Sequence, residues 1–290
     1  MHKSGFVNII GSPNVGKSTL MNKLMGKNLS IITSKAQTTR HRLRGILSGD
    51  DYQIVFSDTP GVVNSSYELH EIMMGYVSES LRDADVLLLV TDVFEDTMNH
   101  EETLERIQKL EIPTIVLINK IDLKNQAQVA ERIEHWKKIL PKADVLPISA
   151  LHNFNVDEIK NLILDKLPES PAYFDKDEIT DRPMRFFVSE IIREKIFQNL
   201  KQEVPYACQV EVTEYIESED RIDIRANIIV ERESQKAIII GAGGKQLKYI
   251  GIDSRRDIEK FVGKHVALKT HVKVDKDWRS DEGKLKKYGY

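Results

Sequence analysis

The pattern G-x-x-x-x-G-K-[ST] near the start of the chain constrains the fold more than any other feature. Eight consecutive residues carry it: Gly11, Ser12, Pro13, Asn14, Val15, Gly16, Lys17 and Ser18. The apolar run 6–10 before the pattern predicts a buried strand, and the apolar spacing over 18–24 after it predicts a helix. Backbone N–H groups of such a loop, together with a helix N-terminus, bind phosphate groups. We expect Lys17 to contact the terminal phosphates and the Ser18 hydroxyl to ligate Mg²⁺.

A second motif, D-x-x-G, follows the apolar run 52–56. Its residues, with the one that follows them, are Asp58, Thr59, Pro60, Gly61 and Val62. We expect Asp58 to hold the metal and its water shell, and the Gly61 N–H to face the γ-phosphate, so that the segment changes shape when that phosphate leaves. Taken alone, the motif is more typical of an ordinary turn after a strand.

Two further motifs predict which base is bound. The first, after the apolar run 114–118, consists of Asn119, Lys120, Ile121 and Asp122. A carboxylate at Asp122 can accept hydrogen bonds from the ring N–H and the exocyclic amine of guanine, whereas adenine would leave that carboxylate unpaired. The second motif, expected beside the same base, consists of Ser149, Ala150 and Leu151. Four motifs, each at the carboxyl end of a predicted strand, together indicate a GTP site.

The residues predicted to act in hydrolysis are Lys17, Thr39 and Gly61. Thr39 is the preferred metal ligand of the segment before the second strand, and its neighbour Thr38 stays open as the alternative. Many GTPases have a water-orienting glutamine after the D-x-x-G glycine. This chain has Val62 and Val63 there, and neither can orient water through a side-chain hydrogen bond. We therefore predict slow intrinsic hydrolysis. The cations considered for an assisting role are Arg40 and Arg42.

Length and composition agree with a protein of more than one domain. A chain of 290 residues suggests about two domains, and an apolar content of 41% provides enough material for their cores. The single cysteine, Cys208, alternates with valines and is predicted to pack in a core. The sequence shows neither a signal-peptide pattern nor an apolar run of about 20 residues, so we expect a cytoplasmic location.

The order of the predicted elements divides the chain. Strands and helices alternate over residues 1–168, which predicts an α/β doubly wound sheet, with an antiparallel edge hairpin over 43–56. Residues 169–183, which begin near two prolines, are the predicted linker. Residues 184–290 are predicted to form an α+β domain followed by a C-terminal tail, with the order helix, strand, strand, helix, loop, helix, strand.

The loop in that second domain is a G-x-x-G turn between two predicted helices. This is the arrangement by which KH domains clamp about four nucleotides of single-stranded nucleic acid. The candidate RNA-binding residues are Ile240, Gly241, Ala242, Gly243, Gly244, Lys245, Lys248 and Ile250. These two isoleucines and Ile252 are expected to form an apolar floor for bases, although the same residues could be core. Residues 240–290 contain 13 Lys and Arg against 7 Asp and Glu, a bias that favours phosphate backbones.

The chain resembles the Era family of bacterial GTPases over its whole length. Besides the nucleotide motifs, the resemblance is carried by KAQTTRHR at 35–42, ITDR at 179–182, SEIIREK at 189–195 and VERE at 230–233. It implies a type II KH domain that binds 16S ribosomal RNA near its 3′ end. It also implies a role in maturing the small (30S) ribosomal subunit, with peripheral association at the cytoplasmic face of the inner membrane. We expect a monomer.

Two positions depart from the family pattern. Ser12 stands where the family often has arginine, and the pair Ala242-Gly243 replaces a middle pair that usually includes a basic residue. Neither change removes its motif. The second shifts the expected phosphate contacts towards Lys245 and Lys248.

Two alternative functions stay open at this point. One is a membrane-attached regulatory GTPase whose basic C-terminal domain binds protein or anionic lipid. The other is an RNA-binding assembly factor that holds GTP without hydrolysing it. For the preferred function we hypothesise that GTP orders the segments 35–42 and 58–67, so that RNA affinity depends on the bound nucleotide.

Overall fold

The computed structural model describes residues 1–33, 35, 37–63, 66–98 and 100–290. The two segments that we expect to respond to GTP, 35–42 and 58–67, contain residues 36, 64 and 65, which lie outside the described residues. The chain divides into two compact units, one made of Met1–Ser66 with His70–Asp181 and the other of Tyr67–Leu69 with Arg182–Tyr290.

The first unit is built on a twisted sheet. Across the residues described it has six strands in the order β2-β3-β1-β4-β5-β6, and every pair is parallel except β2 with β3. The strands are β1 Lys3–Ile10, β2 Leu43–Ser48, β3 Tyr52–Asp58, β4 Val86–Asp92, β5 Thr114–Asn119 and β6 Asp144–Pro147. Every residue of β4 is buried, as expected for a parallel strand covered on both faces. The predicted doubly wound sheet with an antiparallel edge hairpin is thus confirmed.

Helices follow the strands and cover the two faces of this sheet. They are α1 Lys17–Met25, α2 Glu68–Arg82, α3 Glu101–Gln108, α4 Gln126–Ile139 and α5 Val156–Lys166. One core cluster includes Leu89 and Ile118 of the sheet together with Trp136 of α4, all with at most 1% of their surface exposed. Because the strands are parallel, their carboxyl ends meet at one edge, and the four sequence motifs follow those ends.

The predicted linker is more ordered than its prolines suggest. The Ile46 N–H of β2 donates to the Ile179 carbonyl at 2.7 Å, which covers the outer edge of the sheet. The buried side chain of Gln53 accepts hydrogen bonds from the backbone N–H groups of Tyr173 and Phe174 at 2.8 and 3.0 Å. These contacts explain why the first unit continues through Asp181, where the sequence suggests a boundary at 168 and a linker over 169–183.

The second unit has the predicted order of elements. Its elements are α6 Met184–Asn199, β7 Gln209–Glu217, β8 Arg221–Val230, α7 Glu233–Ile240, α8 Lys245–Val262, β9 His265–Val274 and α9 Glu282–Lys287. Within residues 182–290, all of which are described, the sheet has the order β7-β8-β9, with β7 antiparallel and β9 parallel to β8. This is the α+β arrangement predicted for a type II KH domain.

The core of this unit lies between the sheet and helices α6 and α8. Fully buried members include Ile192, Ile228 and Ile258, and Cys208 is buried with them as predicted. The C-terminal segment, predicted only as a tail, is part of the same body. Trp278 is fully buried, and its indole N–H donates to the Ala207 carbonyl at 3.0 Å. None of the helices among the described residues is long and apolar enough to cross a bilayer.

Candidate functional site

The loop between β1 and α1 places a cation beneath its backbone. Gly16 begins the helix with φ of 102°, a conformation that favours glycine, and an added Cβ would lie 2.2 Å from the Asn119 amide nitrogen. The buried Lys17 ammonium donates to the carbonyl oxygens of Gly11 and Ser12 at 2.9 and 2.8 Å. Burial lowers the pKa of Lys17 to about 8, so the side chain is still mainly cationic at neutral pH. The charge is thus fixed at the loop predicted to hold phosphates.

Three oxygen-bearing side chains meet beside this lysine. The Ser18 hydroxyl donates to Asp58 Oδ2 at 2.8 Å and lies 2.9 Å from the Thr39 hydroxyl. Asp58 is fully buried, its Oδ1 makes no hydrogen bond of normal geometry with a described residue, and burial raises the pKa of its carboxyl group. Mg²⁺ prefers oxygen ligands, and a dication would offset the cost of burying this carboxylate, so the donor set fits Mg²⁺.

Of the two threonines left open by the sequence, the structure brings only Thr39 to this cluster. The hydroxyl of Thr38 donates to the Lys35 carbonyl at 2.8 Å and bonds with the Thr33 hydroxyl at 2.6 Å. In this conformation the Thr38 hydroxyl therefore stabilises its own loop through these hydrogen bonds to Lys35 and Thr33.

The D-x-x-G segment lies against the phosphate loop. A Cβ added to Gly61 would lie 2.9 Å from the Cα of Pro13, so only glycine allows this approach. The Val62 N–H donates to the Gly11 carbonyl at 3.2 Å, and the Thr59 hydroxyl donates to the Ile9 carbonyl at 2.7 Å. Thr59 therefore holds the backbone of β1, and the Gly61 backbone is the part that faces the cleft.

Val62 is 2% exposed and packs in the core cluster of the first unit. Since its side chain cannot reach a water molecule in the cleft, replacing Val62 with Ala is expected to leave the single-turnover rate of GTP hydrolysis within several-fold of wild type. The free energy of unfolding should fall by about 1 to 3 kcal/mol because methyl groups leave the core. Phosphate release and thermal melting measure the two effects. A collapse of turnover comparable to that of Lys17→Ala would contradict this interpretation.

The two arginines considered for hydrolysis are buried away from the cleft. Arg42 donates to both carboxylate oxygens of Asp83 at 2.7 and 2.8 Å and to the Ser57 hydroxyl at 2.6 Å. Arg40 is 3% exposed, and neither arginine is among the described residues that line the cleft. The assisting role considered for Arg42 is therefore wrong for this conformation, because its guanidinium is bound in a bidentate pair.

At the other end of the cleft, one side chain joins the motif loops. Asn119 donates to the Val15 carbonyl at 2.8 Å and accepts from the Ala150 N–H at 2.9 Å. The Asp122 carboxylate accepts from the Ser149 hydroxyl at 2.6 Å, which orients it. The ammonium group of Lys120 pairs with Asp92 at 2.8 Å and is thereby fixed beside the same loops.

These loops enclose a cleft of about 550 Å³ in the first unit. The predicted site residues that line it are Pro13, Asn14, Gly16, Lys17, Ser18, Thr39, Gly61, Asn119, Lys120, Asp122, Ser149 and Leu151. The other predicted site residues are not among those that line it: Gly11, Ser12, Val15, Asp58, Thr59, Pro60, Val62, Ile121 and Ala150. Of these, Asp58 reaches the lining residue Ser18 through its carboxylate.

Sequence reasoning missed part of the cleft. Thr19, residues 31–33 and Leu123 also line it, and Asp92 holds Lys120. Lys35, Gln37 and Thr38 line it too, but they belong to the segment already expected to respond to GTP. Thr19 directly follows the phosphate loop and Asp92 ends an apolar strand, so the sequence positions of both indicate a place near the site. Residues 31–33 belong to no motif and are brought to the cleft by the course of the chain.

In the second unit, the predicted RNA-binding residues surround the turn between α7 and α8. Gly243 and Gly244 have φ of 60° and 75°, and a Cβ at either would meet no atom within 4 Å. Lys245 and Lys248 are exposed, and Ile240 is half-buried at the end of α7. Ile250 is the exception, because it is fully buried in the core cluster. Its predicted place in a groove floor is corrected: the apolar side of α8 packs on the sheet, so Ile250 supports the helix from within.

The fold, the phosphate loop, the oxygen cluster and the carboxylate at the base end define a P-loop GTP-binding protein with a KH domain. Family models agree: residues 6–120 match "50S ribosome-binding GTPase" and residues 203–279 match "KH domain".

Curated relatives align over the whole chain. It is 45% identical to GTPase ERA1, chloroplastic, from Zea mays, and 46% identical to GTPase ERA-like, chloroplastic, from Oryza sativa subsp. japonica. These alignments cover 100% of this chain and 71% and 70% of the relatives.

Solved structures agree. The chain is 39% identical to Era in complex with MgGDPNP and nucleotides 1506–1542 of 16S ribosomal RNA, with a TM-score of 0.95 over 100% of this chain and 99% of that one. It is also 39% identical, with a TM-score of 0.95 and 99% of each chain covered, to a variant of Aquifex aeolicus Era bound to GDP and AlF4−. The chain therefore belongs to the Era family of GTPases. It is a GTPase that uses guanine nucleotide and Mg²⁺.

Proposed function

We propose that this protein is a GTP-hydrolysing switch that binds 16S ribosomal RNA near its 3′ end and assists assembly of the 30S subunit. The observation that carries the RNA part is the glycine-rich turn 241–244, open at Gly243 and Gly244, at the start of a basic helix in a KH fold. The similarity to an Era structure that contains a 16S ribosomal RNA fragment supports it.

For hydrolysis, the proposed roles follow from the cleft. The carboxylate of Asp122 accepts hydrogen bonds from guanine, while the Lys17 ammonium and the N–H groups of the phosphate loop bind the β- and γ-phosphates. The Gly61 N–H contacts the γ-phosphate. Water attacks the γ-phosphorus, the bond to the bridging oxygen breaks, and the charge that develops on that oxygen is stabilised by Lys17 and the loop.

Ser18, Thr39 and Asp58 are the proposed metal-holding residues. When bound, Mg²⁺ supplies additional positive charge that neutralises the phosphate oxygens. No side chain described at the position after Gly61 can orient the water, which supports the proposal of slow intrinsic turnover and of a timing role.

RNA binding is proposed to use the backbone of residues 241–244 and the ammonium groups of Lys245 and Lys248. Replacing Gly243 with Asp tests this, because a carboxylate in the open turn would repel phosphates. We expect the affinity for 16S nucleotides 1506–1542 to fall by about tenfold or more. Filter binding or fluorescence anisotropy at a fixed salt concentration measures it.

Gly263→Asp is the matched control. Gly263 ends α8 with φ of 71° and, like Gly243, has nothing within 4 Å of an added Cβ, so the two variants share strain and charge. The control should bind RNA as wild type does. Equal losses in both variants, or none in either, would argue against the turn as the binding element.

The nucleotide dependence of RNA binding is a separate part of the proposal. Binding of the same RNA to the GTP-analogue, GDP and nucleotide-free forms should differ, and by reciprocity RNA must change nucleotide affinity by the same factor. Anionic vesicles form the comparison arm. Binding to vesicles without binding to RNA would favour the membrane-attached alternative, whereas equal RNA binding by all three forms would reject the coupling alone.

A further inference from the structure

Helix α8 carries an unusual combination of side chains on its outward face. Lys245, Tyr249, Ile252 and Arg256 follow one another at intervals of four, three and four residues, which places them on one side of the helix. The opposite side packs on the sheet through buried residues such as Ile258. The stripe therefore begins at the glycine-rich turn and runs along the most exposed line of the helix.

Two members of the stripe are apolar and in contact with water. The Tyr249 side chain is 60% exposed and that of Ile252 is 37% exposed. Tyr249 makes no hydrogen bond, ion pair or ring contact with any described residue. The centre of the outward face of an amphipathic helix is ordinarily polar. Packing within this unit therefore does not account for an aromatic ring one helical turn beyond the glycine-rich turn.

Cations outnumber carboxylates on the exposed part of α8 around the ring, where Asp253 lies one turn beyond Tyr249 and pairs with Arg256. Lys245, Lys248 and Arg255 are exposed on α8, and Arg256 has only a distant partner among the described residues, Asp253 at 3.8 Å. An exposed ion pair of this kind contributes little and leaves the guanidinium available to phosphates. A membrane or a protein could contact an apolar side chain, but a flat ring between cations beside an open backbone turn is the surface that an unpaired nucleotide fits.

We propose that Tyr249 is a stacking platform for an unpaired RNA base adjacent to those held at the glycine-rich turn. Ile252 contacts the edge of the same base, and Lys245 and Arg256 bind the phosphates on either side. This inference rests on the proposed RNA-binding function and adds a position to its site. Because every base has a π face, the platform contributes affinity without reading sequence.

The test measures the binding of 16S nucleotides 1506–1542 to variants at this position. Tyr249→Ala should weaken binding by roughly 5- to 150-fold, the range for loss of one stacked base. Tyr249→Phe and Tyr249→Trp should bind within about twofold of wild type, because both keep a ring. Ile216→Ala is the control, since Ile216 is 54% exposed on β7 of the same unit.

Salt dependence separates stacking from charge. Arg256→Gln should reduce the slope of log K against log salt by about 0.7, the value for one contact with a single-stranded phosphate, and Tyr249→Ala should leave that slope unchanged. All variants should keep the wild-type melting temperature, because the substituted side chains are exposed.

The outcomes distinguish this inference from the function on which it rests. If wild type fails to bind the RNA, both are overturned. If Gly243→Asp loses binding while Tyr249→Ala keeps it, the platform alone is overturned. A loss in Tyr249→Phe equal to that in Tyr249→Ala would assign the contact to the hydroxyl group and would also overturn stacking. A loss in Tyr249→Ala that Tyr249→Trp restores supports the proposal.

Discussion

Replacement of Lys17 with Ala is expected to reduce the single-turnover rate of GTP hydrolysis by about 10²- to 10³-fold, with a parallel loss of nucleotide affinity. The ammonium is buried at the phosphate loop and is held by the Gly11 and Ser12 carbonyls, so its charge is fixed before the phosphates arrive. The cleft is also lined by Lys35 and Lys120, of which Lys120 is paired with Asp92, so Lys17 is the cation that the phosphate loop itself supplies. Fluorescent GDP titration and phosphate release measure the two effects.

The control for Lys17→Ala is Lys23→Ala. Lys23 lies on the same helix but is exposed, so its removal should change neither affinity nor rate. The nucleotide-free Lys17→Ala protein should also remain folded, because burial already disfavours the charged form of this side chain. Turnover within tenfold of wild type would show that another group stabilises the transferred phosphoryl group.

Replacement of Asp122 with Asn is expected to weaken GTP binding by at least about 10²-fold. An amide has one acceptor oxygen, so one hydrogen bond to guanine becomes neutral, and the other, which contributes about 1.5 to 3 kcal/mol, is replaced by an unfavourable approach of two donors. Xanthine has a carbonyl group where guanine has its exocyclic amine, so the amide N–H that the substitution introduces can donate to that carbonyl. The variant should therefore bind xanthosine triphosphate more tightly than wild type does.

Competition of GTP, ATP and xanthosine triphosphate for one fluorescent nucleotide measures this change in specificity. Asp157→Asn, an exposed substitution at the start of α5, removes the same charge from the same unit and should leave the order of affinities unchanged. If Asp122→Asn binds GTP as wild type does, the carboxylate does not read the base, and the oriented Ser149–Asp122 pair has another role.

The parts of the molecule that the sequence predicted well are those where local chemistry and topology coincide. The phosphate loop, the D-x-x-G segment and the Asn119 motif each follow an apolar strand, and parallel strands bring their carboxyl ends together regardless of intervening length. Alternation in β8 and the outward cations of α8 similarly predicted the second unit. Periodicity is informative where one side of an element is buried.

The sequence predictions that the structure corrected failed for one reason: tertiary packing decides which group a side chain contacts. Arg42 lies beside the threonines in sequence, yet it pairs with Asp83, 41 residues away. Ile250 and Ile252 read alike as apolar helix residues, but their positions around α8 bury the first and expose the second. The C-terminal segment packs on the second unit partly through the hydrogen bond from Trp278 to the Ala207 carbonyl. No local sequence pattern indicates this contact.

The two hydrogen bonds of the Asn119 side chain limit which parts of the cleft can differ between the GTP-bound and GDP-bound protein. Its amide links the phosphate loop at Val15 to the base loop at Ala150. We propose that these two linked loops hold the guanine and the inner phosphates, which GTP and GDP have in common. Besides Lys17, we propose that Thr39 and Gly61 respond to the third phosphate, since this amide does not hold their backbones. Weakening the hydrogen bonds of the Asn119 amide should lower the affinities for GTP and GDP by the same factor and leave the ratio of the two affinities unchanged.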